Sequence, residues 1–99
     1  MDQVLTPAVQ NVTLTLADTQ YYLDLPDGCK HFSFQCRTLF DVRFAFVDAK
    51  VATPTAPWAT CKAGTAFSSP DKLCIRGGYT RVYFASPQAG VVVELMTWV

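Results

Sequence analysis

The side chains best suited to catalysis are sparse in this sequence, and their spacing does not assemble a familiar reaction centre. His31 is the only histidine among the 99 residues, so a serine or cysteine nucleophile with an imidazole base would have to use it. It follows a turn and begins a predicted strand in which apolar and polar residues alternate. Within that strand it lies on the face predicted to be exposed to solvent. We therefore expect an exposed histidine at a strand end, and we predict no catalytic residues and no enzyme.

Carboxylates are the other candidates for acid–base chemistry. Glycoside hydrolysis needs two carboxylates on either side of a substrate, and calcium needs a loop of regularly spaced oxygen ligands. Neither pattern is present, and turns favour aspartate because it bonds the local backbone. We interpret most aspartates as turn residues: Asp18, Asp24, Asp27, Asp41, Asp48 and Asp71.

Four cysteines raise the question of zinc or disulfides. Zinc sites prefer cysteines two to four residues apart, whereas Cys29, Cys36, Cys61 and Cys74 are widely separated. Four cysteines allow three disulfide connectivities, and the sequence does not choose among them. We expect reduced thiols, no metal site and no cofactor.

Charge and composition argue against a nucleic-acid binder and for an apolar contact surface. Eight basic residues balance eight acidic ones, which disfavours a nucleic-acid binder that relies on phosphate neutralisation. Half of the chain is apolar (51%) but only 16% is charged, against about 25% in an ordinary soluble domain. Some apolar surface is therefore expected to face a partner. No signal peptide or membrane span is predicted, so we expect synthesis in a cytoplasm and no membrane contact.

The elements that position these side chains are predicted to be short strands. Apolar and polar residues alternate strictly over 12–16, 21–25, 31–37 and 42–46, and turn residues separate these segments. The proline-rich stretch 51–70 is expected to be an edge or a long loop with two short strands. Gly77-Gly78 predicts a two-residue hairpin that pairs Ile75 with Thr80 and Leu73 with Val82. The inward-facing positions are predicted to be Val12, Leu14, Leu16, Tyr21, Leu23, Leu25, Phe32, Phe34, Cys36, Val42, Phe44 and Phe46. In the predicted hairpin, one face is shared by Leu73, Ile75, Val82 and Phe84.

The final segment, 91–98, is predicted to be apolar on both sides. Val91, Val93 and Leu95 share one face, which suits the core, and the opposite face must be covered by a loop or by another chain. Tyrosine and tryptophan at outward or loop positions add to this apolar surplus, because both are enriched at binding interfaces. The predicted interface residues are Trp98, Met96, Val92, Tyr83, Tyr22 and Trp58.

Seven or eight short strands without a helix indicate an all-β fold. We predict one domain over residues 1–99, an antiparallel β-sandwich of the jelly-roll or Greek-key type, with residues 1–8 as an extended N-terminal lead. The outward arginines 37, 43, 76 and 81 lie among tyrosines, a pattern also seen in nucleic-acid platforms. Because net charge is zero, we favour ion pairs and solvated faces for them.

Two motifs resemble a known class of protein. "YYLDLPDGCKHFSFQCR" places a Leu-Pro-x-Gly turn before a Phe-x-Phe strand, and "RVYFASPQAGVVVELMTW" places a corner before an apolar strand that ends in tryptophan. Together they resemble small virion structural proteins of tailed bacteriophages, over about residues 9–98. The resemblance implies a β-sandwich that decorates or cements the capsid, is assembled in the bacterial host cytoplasm, and carries no active site.

The functional expectation is therefore a non-enzymatic virion protein. Its expected partners are the major capsid protein, other virion proteins or further copies of itself, in a homo-oligomer or multi-copy assembly, with neither nucleic acid nor membrane. A tail-associated structural protein is one alternative. The other is a carbohydrate-binding or receptor-binding module, in which Trp58 in its proline-bounded loop would stack on a sugar.

Overall fold

Every regular element is a β-strand in the part of the chain that the computed structural model describes, residues 7–26, 28–53, 55–69 and 80–99. These residues contain no helix long and apolar enough to cross a membrane. The strands are β1 (Pro7–Leu14), β2 (Tyr21–Leu25), β3 (His31–Cys36), β4 (Val42–Ala45), β5 (Ala59–Cys61), β6 (Ala66–Ser68), β7 (Thr80–Ala85) and β8 (Val91–Trp98).

The strands form two antiparallel four-stranded sheets. Sheet A has the order β1-β8-β3-β6, and sheet B has the order β2-β7-β4-β5. Every connection between consecutive strands crosses from one sheet to the other except the one between β4 and β5, which pair directly. This wrapping, with the last strand beside the first, is the jelly-roll arrangement of a β-sandwich, so the predicted fold class is confirmed.

Alternation along the strands builds the core between the sheets. The burial of β8 alternates without interruption, and Val91, Val93 and Leu95 are at most 1% exposed. Phe34 stands at the centre, with its ring centroid 4.9 Å from that of Phe44 and 5.0 Å from that of Phe84. The inward faces predicted for β2, β3 and β8 are confirmed, because a period of two places every second side chain on the same side of a sheet.

The first strand differs from its prediction. It begins at Pro7 and ends at Leu14, because it pairs with β8 over its whole length, from Pro7 opposite Trp98 to Leu14 opposite Val91. Leu16, predicted to face inward, lies beyond the strand and is 60% exposed. The chain has already begun to turn there, and Asp18 adopts a left-handed conformation with φ of 50°.

Strand β4 ends one residue before its prediction. Val42 and Phe44 face the core as expected, but the strand stops at Ala45 and Phe46 is 48% exposed. The two short strands expected in the proline-rich stretch are present as β5 and β6. The predicted hairpin at Gly77-Gly78, with its partners Leu73 and Ile75, lies outside the described residues.

Two turns use glycine where the backbone requires it. The Cys29 amide donates to the Pro26 carbonyl at 3.1 Å, and Gly28 within this turn has φ of 79°. The predicted turn is therefore present but starts one residue later, at Pro26. Gly90, before β8, also has φ of 79° and donates its amide to the Leu14 carbonyl.

The described cysteines carry free thiols. Cys29 and Cys61 are buried and Cys36 is half-buried, and each thiol lies near a backbone or hydroxyl oxygen of its own loop. Cys74 lies outside the described residues. The buried thiols therefore pack as small hydrophobic groups.

Candidate protein-docking cleft

An apolar cleft lies at the end of the β4–β5 hairpin where the backbone pairing of the two strands stops. The last paired residues of this hairpin are Phe44 and Ala59. Beyond them the strands separate into the loop 46–58, and the residues next to the separation point line a cleft of about 270 Å³. Its lining residues are Phe44, Ala45, Phe46, Val47, Pro57, Trp58 and Ala59.

The floor of the cleft is continuous with the aromatic core. The ring centroid of Phe46 lies 6.2 Å from those of Phe32 and Phe44, both in edge-to-face orientation. Phe44 is only 6% exposed, whereas Phe46 is 48% exposed. Phe46 therefore rests on buried rings while presenting its outer side to solvent, which makes the floor a packed surface.

Arg43 fixes the middle of the loop to the outer face of sheet B. Its Nε donates to the Val51 carbonyl at 2.7 Å, and its second terminal nitrogen reaches Asp18 Oδ1 at 2.7 Å and the Ala52 carbonyl at 3.3 Å. The Arg43 side chain is 11% exposed, so these contacts are largely shielded from water. The ion pair expected for this arginine is present, and it also ties two backbone positions of the loop.

Further contacts hold the same loop. Val51 is fully buried and packs with Ala45, Ala85 and the half-buried Tyr83 in a small cluster on the outer face of sheet B. The side-chain amide of Gln20 makes two hydrogen bonds to the loop. Its nitrogen donates to Asp48 Oδ1 at 2.6 Å, and its oxygen accepts from the Ala49 amide at 2.8 Å. The loop that shapes the cleft is thus anchored by an arginine, an amide and an apolar side chain.

The chemistry of the cleft is apolar throughout. None of the seven lining residues carries an ionisable or hydrogen-bonding side chain except Trp58, whose indole has one N–H. Its volume of about 270 Å³ is smaller than the pockets that hold drug-sized molecules, which begin near 300 Å³. It suits one aromatic or branched aliphatic side chain. It offers no general base, nucleophile or metal ligand.

The predicted interface residues do not form one surface. Val92, Met96 and Trp98 lie on the outer face of sheet A, whereas Tyr22 and Tyr83 lie on the outer face of sheet B. Trp58 lies at the β5 edge of sheet B and is the one candidate in the cleft. The structure therefore divides the six candidates among three places.

On sheet A the three candidates are half-buried and interrupted by a polar contact. Glu94, between Val92 and Met96, accepts from Gln35 at 3.1 Å and from Arg37 at 3.0 Å. These hydrogen bonds, that of Gln35 first, lower the pKa of Glu94 below its ordinary value. The outer-face residues Val92, Met96 and Trp98 of β8 therefore do not form a continuous apolar patch.

On sheet B the two tyrosines contact each other and an arginine. The ring centroids of Tyr22 and Tyr83 are 6.2 Å apart, and the guanidinium of Arg81 lies 4.1 Å above the ring of Tyr22. Arg81 also pairs with Asp24 at 2.9 Å. These side chains stabilise one another on the surface, and Arg76 lies outside the described residues.

His31 lies at the start of β3 on the outer face, as predicted, but it is half-buried. Its ring packs against Trp98 with centroids 5.0 Å apart, and Nδ1 lies 3.1 Å from the Ser69 hydroxyl. That hydroxyl also accepts the Phe32 amide. The surroundings of His31 are those of a structural histidine that joins the end of β3 to the segment after β6. No group of three potential metal ligands occurs among the described residues.

Sequence reasoning identified Trp58 but missed its neighbours in the cleft. The alternation over 42–46 predicts an inward-facing Phe46, Pro57 is interpreted only as a strand breaker, and the sequence pattern does not single out Val47. A usable signal is present in retrospect: large apolar residues flank both ends of a proline-rich loop, and pairing of the flanking strands brings those ends together.

Comparisons with known proteins leave the chain without a family. No family model matches it, and neither a curated protein sequence nor a solved structure shows significant similarity. The function is therefore inferred from the residues and geometry of this chain.

Proposed function

We propose that this protein is a non-enzymatic protein-binding domain, and that the cleft at Trp58 receives an apolar side chain of its partner. The observation that carries the proposal is the cleft itself: an exposed concavity lined only by apolar residues, on a floor of packed aromatic rings. Hot spots at protein interfaces combine a tryptophan or another aromatic anchor with a preformed pocket.

The energetics fit a single anchoring contact. Complete burial of a leucine or phenylalanine side chain contributes about 1.5–3 kcal/mol. Trp58 is 41% exposed and Val47 is 50% exposed, so both have apolar surface left to bury against a partner. Because three anchors already hold the loop, binding would not need to order it, which favours affinity.

As the biological setting we propose the virion of a tailed bacteriophage. The support for this setting is the sequence resemblance described above. In that setting the domain decorates or cements the capsid, and its partner is the major capsid protein or another virion protein. A decoration protein needs a rigid domain and a docking contact, and it needs no reaction centre.

The carbohydrate alternative is disfavoured by the composition of the cleft. Proteins that bind sugars stack the ring on an aromatic side chain and hydrogen-bond the hydroxyl groups with polar neighbours. The indole N–H of Trp58 is the only hydrogen-bonding side-chain group among the lining residues. A sugar bound here would leave most of its hydroxyl groups without protein partners.

An unbiased peptide selection tests the proposal. A random displayed peptide library is selected on the wild-type protein, and the enriched peptides are measured against Trp58→Ala and Phe40→Ala. Phe40 is a matched control because it is 42% exposed, nearly the same as Trp58, and does not line the cleft. We expect peptides with an aromatic or branched aliphatic anchor that lose about tenfold or more in affinity on Trp58→Ala only, since 1.4 kcal/mol corresponds to tenfold.

Two results would contradict the proposal. One is a set of peptides that bind Trp58→Ala as well as they bind the wild type. The other is binding to a glycan array that Trp58→Ala abolishes while no peptide is enriched, because that result supports the carbohydrate alternative.

A further inference from the structure

Among the described residues, the sandwich has four edge strands, and they differ sharply in length and charge. Edges β5 and β6 have three residues each, and β2 has five, with Asp24 paired to Arg81 beside it. Edge β1 has eight residues, Pro7–Leu14, without one charged side chain. Proteins protect exposed edges by shortening them or by placing charges on them. By this criterion β5, β6 and β2 are protected, and β1 is not.

The hydrogen-bond alternation shows which backbone groups of β1 point outward. The Arg37 amide donates to the Val92 carbonyl, so the even-numbered residues of β8 bond towards β3. The odd-numbered residues of β8 then bond towards β1, where their partners include Gln10 and Val12. The backbone N–H and C=O groups of Val9, Asn11 and Thr13 therefore face away from the sheet.

We infer that the free edge of β1 pairs antiparallel with the β1 edge of a second copy of this chain, with Asn11 on the two-fold axis. In this register Asn11 faces Asn11 of the second copy and Val9 faces Thr13, so all three outward-facing residues exchange backbone hydrogen bonds. The opposed Val9 and Thr13 are both β-branched, a favourable cross-strand combination. A register centred on Gln10 places Thr13 opposite Pro7, which has no N–H to donate, and a register centred on Val12 places Val9 opposite Thr15, beyond the end of β1.

A two-fold dimer also leaves no long strand edge free for a third copy to pair with. Each long edge covers the other, and the ends of the joined sheet A are then the three-residue strands β6. A second copy supplies, by two-fold symmetry, a strand of the same length with its outward-facing backbone groups in the complementary positions. Among the described residues no strand pairs with the outer edge of β1. This surface is separate from the Trp58 cleft, so the inference does not depend on the proposed function.

Oligomeric state and register are tested together. Sedimentation equilibrium from about 1 µM to about 1 mM should show a concentration-dependent rise towards twice the 10.9 kDa mass of the chain. Asn11→Pro removes an outward N–H without removing a bond to β8, so it should remain folded and become monomeric. Asn11→Thr keeps the N–H and should still dimerise. Trp58→Ala should dimerise like the wild type.

Cysteine substitution identifies the register. Directly opposed residues in a hydrogen-bonded pair have Cα atoms about 5.5 Å apart, within the range of a disulfide. Asn11→Cys should therefore form an intermolecular disulfide at least about tenfold faster than Thr13→Cys, whose counterpart in the second copy is Val9. Wild-type protein under the same mild oxidation gives the background from the native cysteines.

Three outcomes would overturn the inference. The first is a wild-type protein that stays monomeric over the whole concentration range. The second is a dimer that survives Asn11→Pro in folded protein, as judged by circular dichroism. The third is equal crosslinking of Asn11→Cys and Thr13→Cys, which excludes Asn11 from the axis.

Discussion

Replacement of Arg43 by methionine should loosen the loop that shapes the cleft. Methionine keeps the apolar stem and removes the guanidinium, so the Val51 carbonyl loses a charged donor at 2.7 Å. A hydrogen bond from a charged group contributes about 1.5–3 kcal/mol. The ion pair with Asp18 adds less than about 1 kcal/mol, because the Asp18 side chain is 58% exposed and is well solvated without it. We expect a loss of about 1.5–4 kcal/mol in the free energy of unfolding.

Two measurements separate the global effect of Arg43→Met from its local effect. Urea unfolding followed by circular dichroism gives the change in stability. Tryptic cleavage after Lys50, the only lysine or arginine in the loop 46–58, reports local opening. Both should change strongly in Arg43→Met.

Asp18→Asn is the matched control, because it removes the charge of the exposed partner and leaves both backbone contacts of Arg43 in place. It should cost less than about 1 kcal/mol. If Arg43→Met costs no more than Asp18→Asn and Lys50 stays as resistant as in the wild type, Arg43 does not anchor the loop.

Three further substitutions test the core, the polar contact on sheet A and a turn. Phe34→Ala, at a residue 1% exposed between three aromatic rings, should lower stability by about 3–5 kcal/mol in urea unfolding, and a loss below 1.5 kcal/mol would contradict the packing described. The pKa of Glu94 is lowered in the folded state, so its stabilisation is present above its ordinary value of 4.5 and is lost as pH falls through the lowered pKa. The difference in Tm between wild type and Glu94→Gln should therefore vanish in acid, and a difference that stays constant from neutral to acidic pH would refute this. Gly90→Ala should cost about 1–2 kcal/mol from its left-handed backbone alone, since no atom lies within 4 Å of the added Cβ, and an unchanged Tm would show that the turn relaxes.

Alternation was sufficient to predict the sandwich and most of its inward face. In β2 and β3 one face of the sequence is consistently apolar and lies in the core, so sequence period and burial coincide. β8 is apolar on both sides, and its core face is Val91, Val93 and Leu95. The beginning of β1 could not be predicted in this way, because its inward-facing residues there are Ala8 and Gln10. Neither residue type is a strong indicator of a core position. Its strand bounds are set by pairing with β8, which is distant in sequence.

The cleft was only partly predictable for the same reason. Trp58 attracts attention as a tryptophan between prolines, but Phe46 continues the apolar pattern of β4 and therefore suggests a core residue. Its exposure depends on where β4 ends, and that depends on pairing with β5 and on the anchoring of the loop. Arg43 gave no sign of its role, because an outward arginine on a strand is ordinary until its partners are known.

Nuclear magnetic resonance titrations with two small probes show whether the cleft recognises an apolar side chain. N-acetyl-tryptophanamide presents an apolar ring, and methyl glucoside presents a sugar of comparable size. We expect saturable shifts of the Trp58 indole N–H and of the Val47 and Ala59 amides with the tryptophan probe, and the same shifts in Phe40→Ala. Saturable shifts of these signals with methyl glucoside alone, or shifts with the tryptophan probe confined to residues outside the cleft, would contradict this expectation.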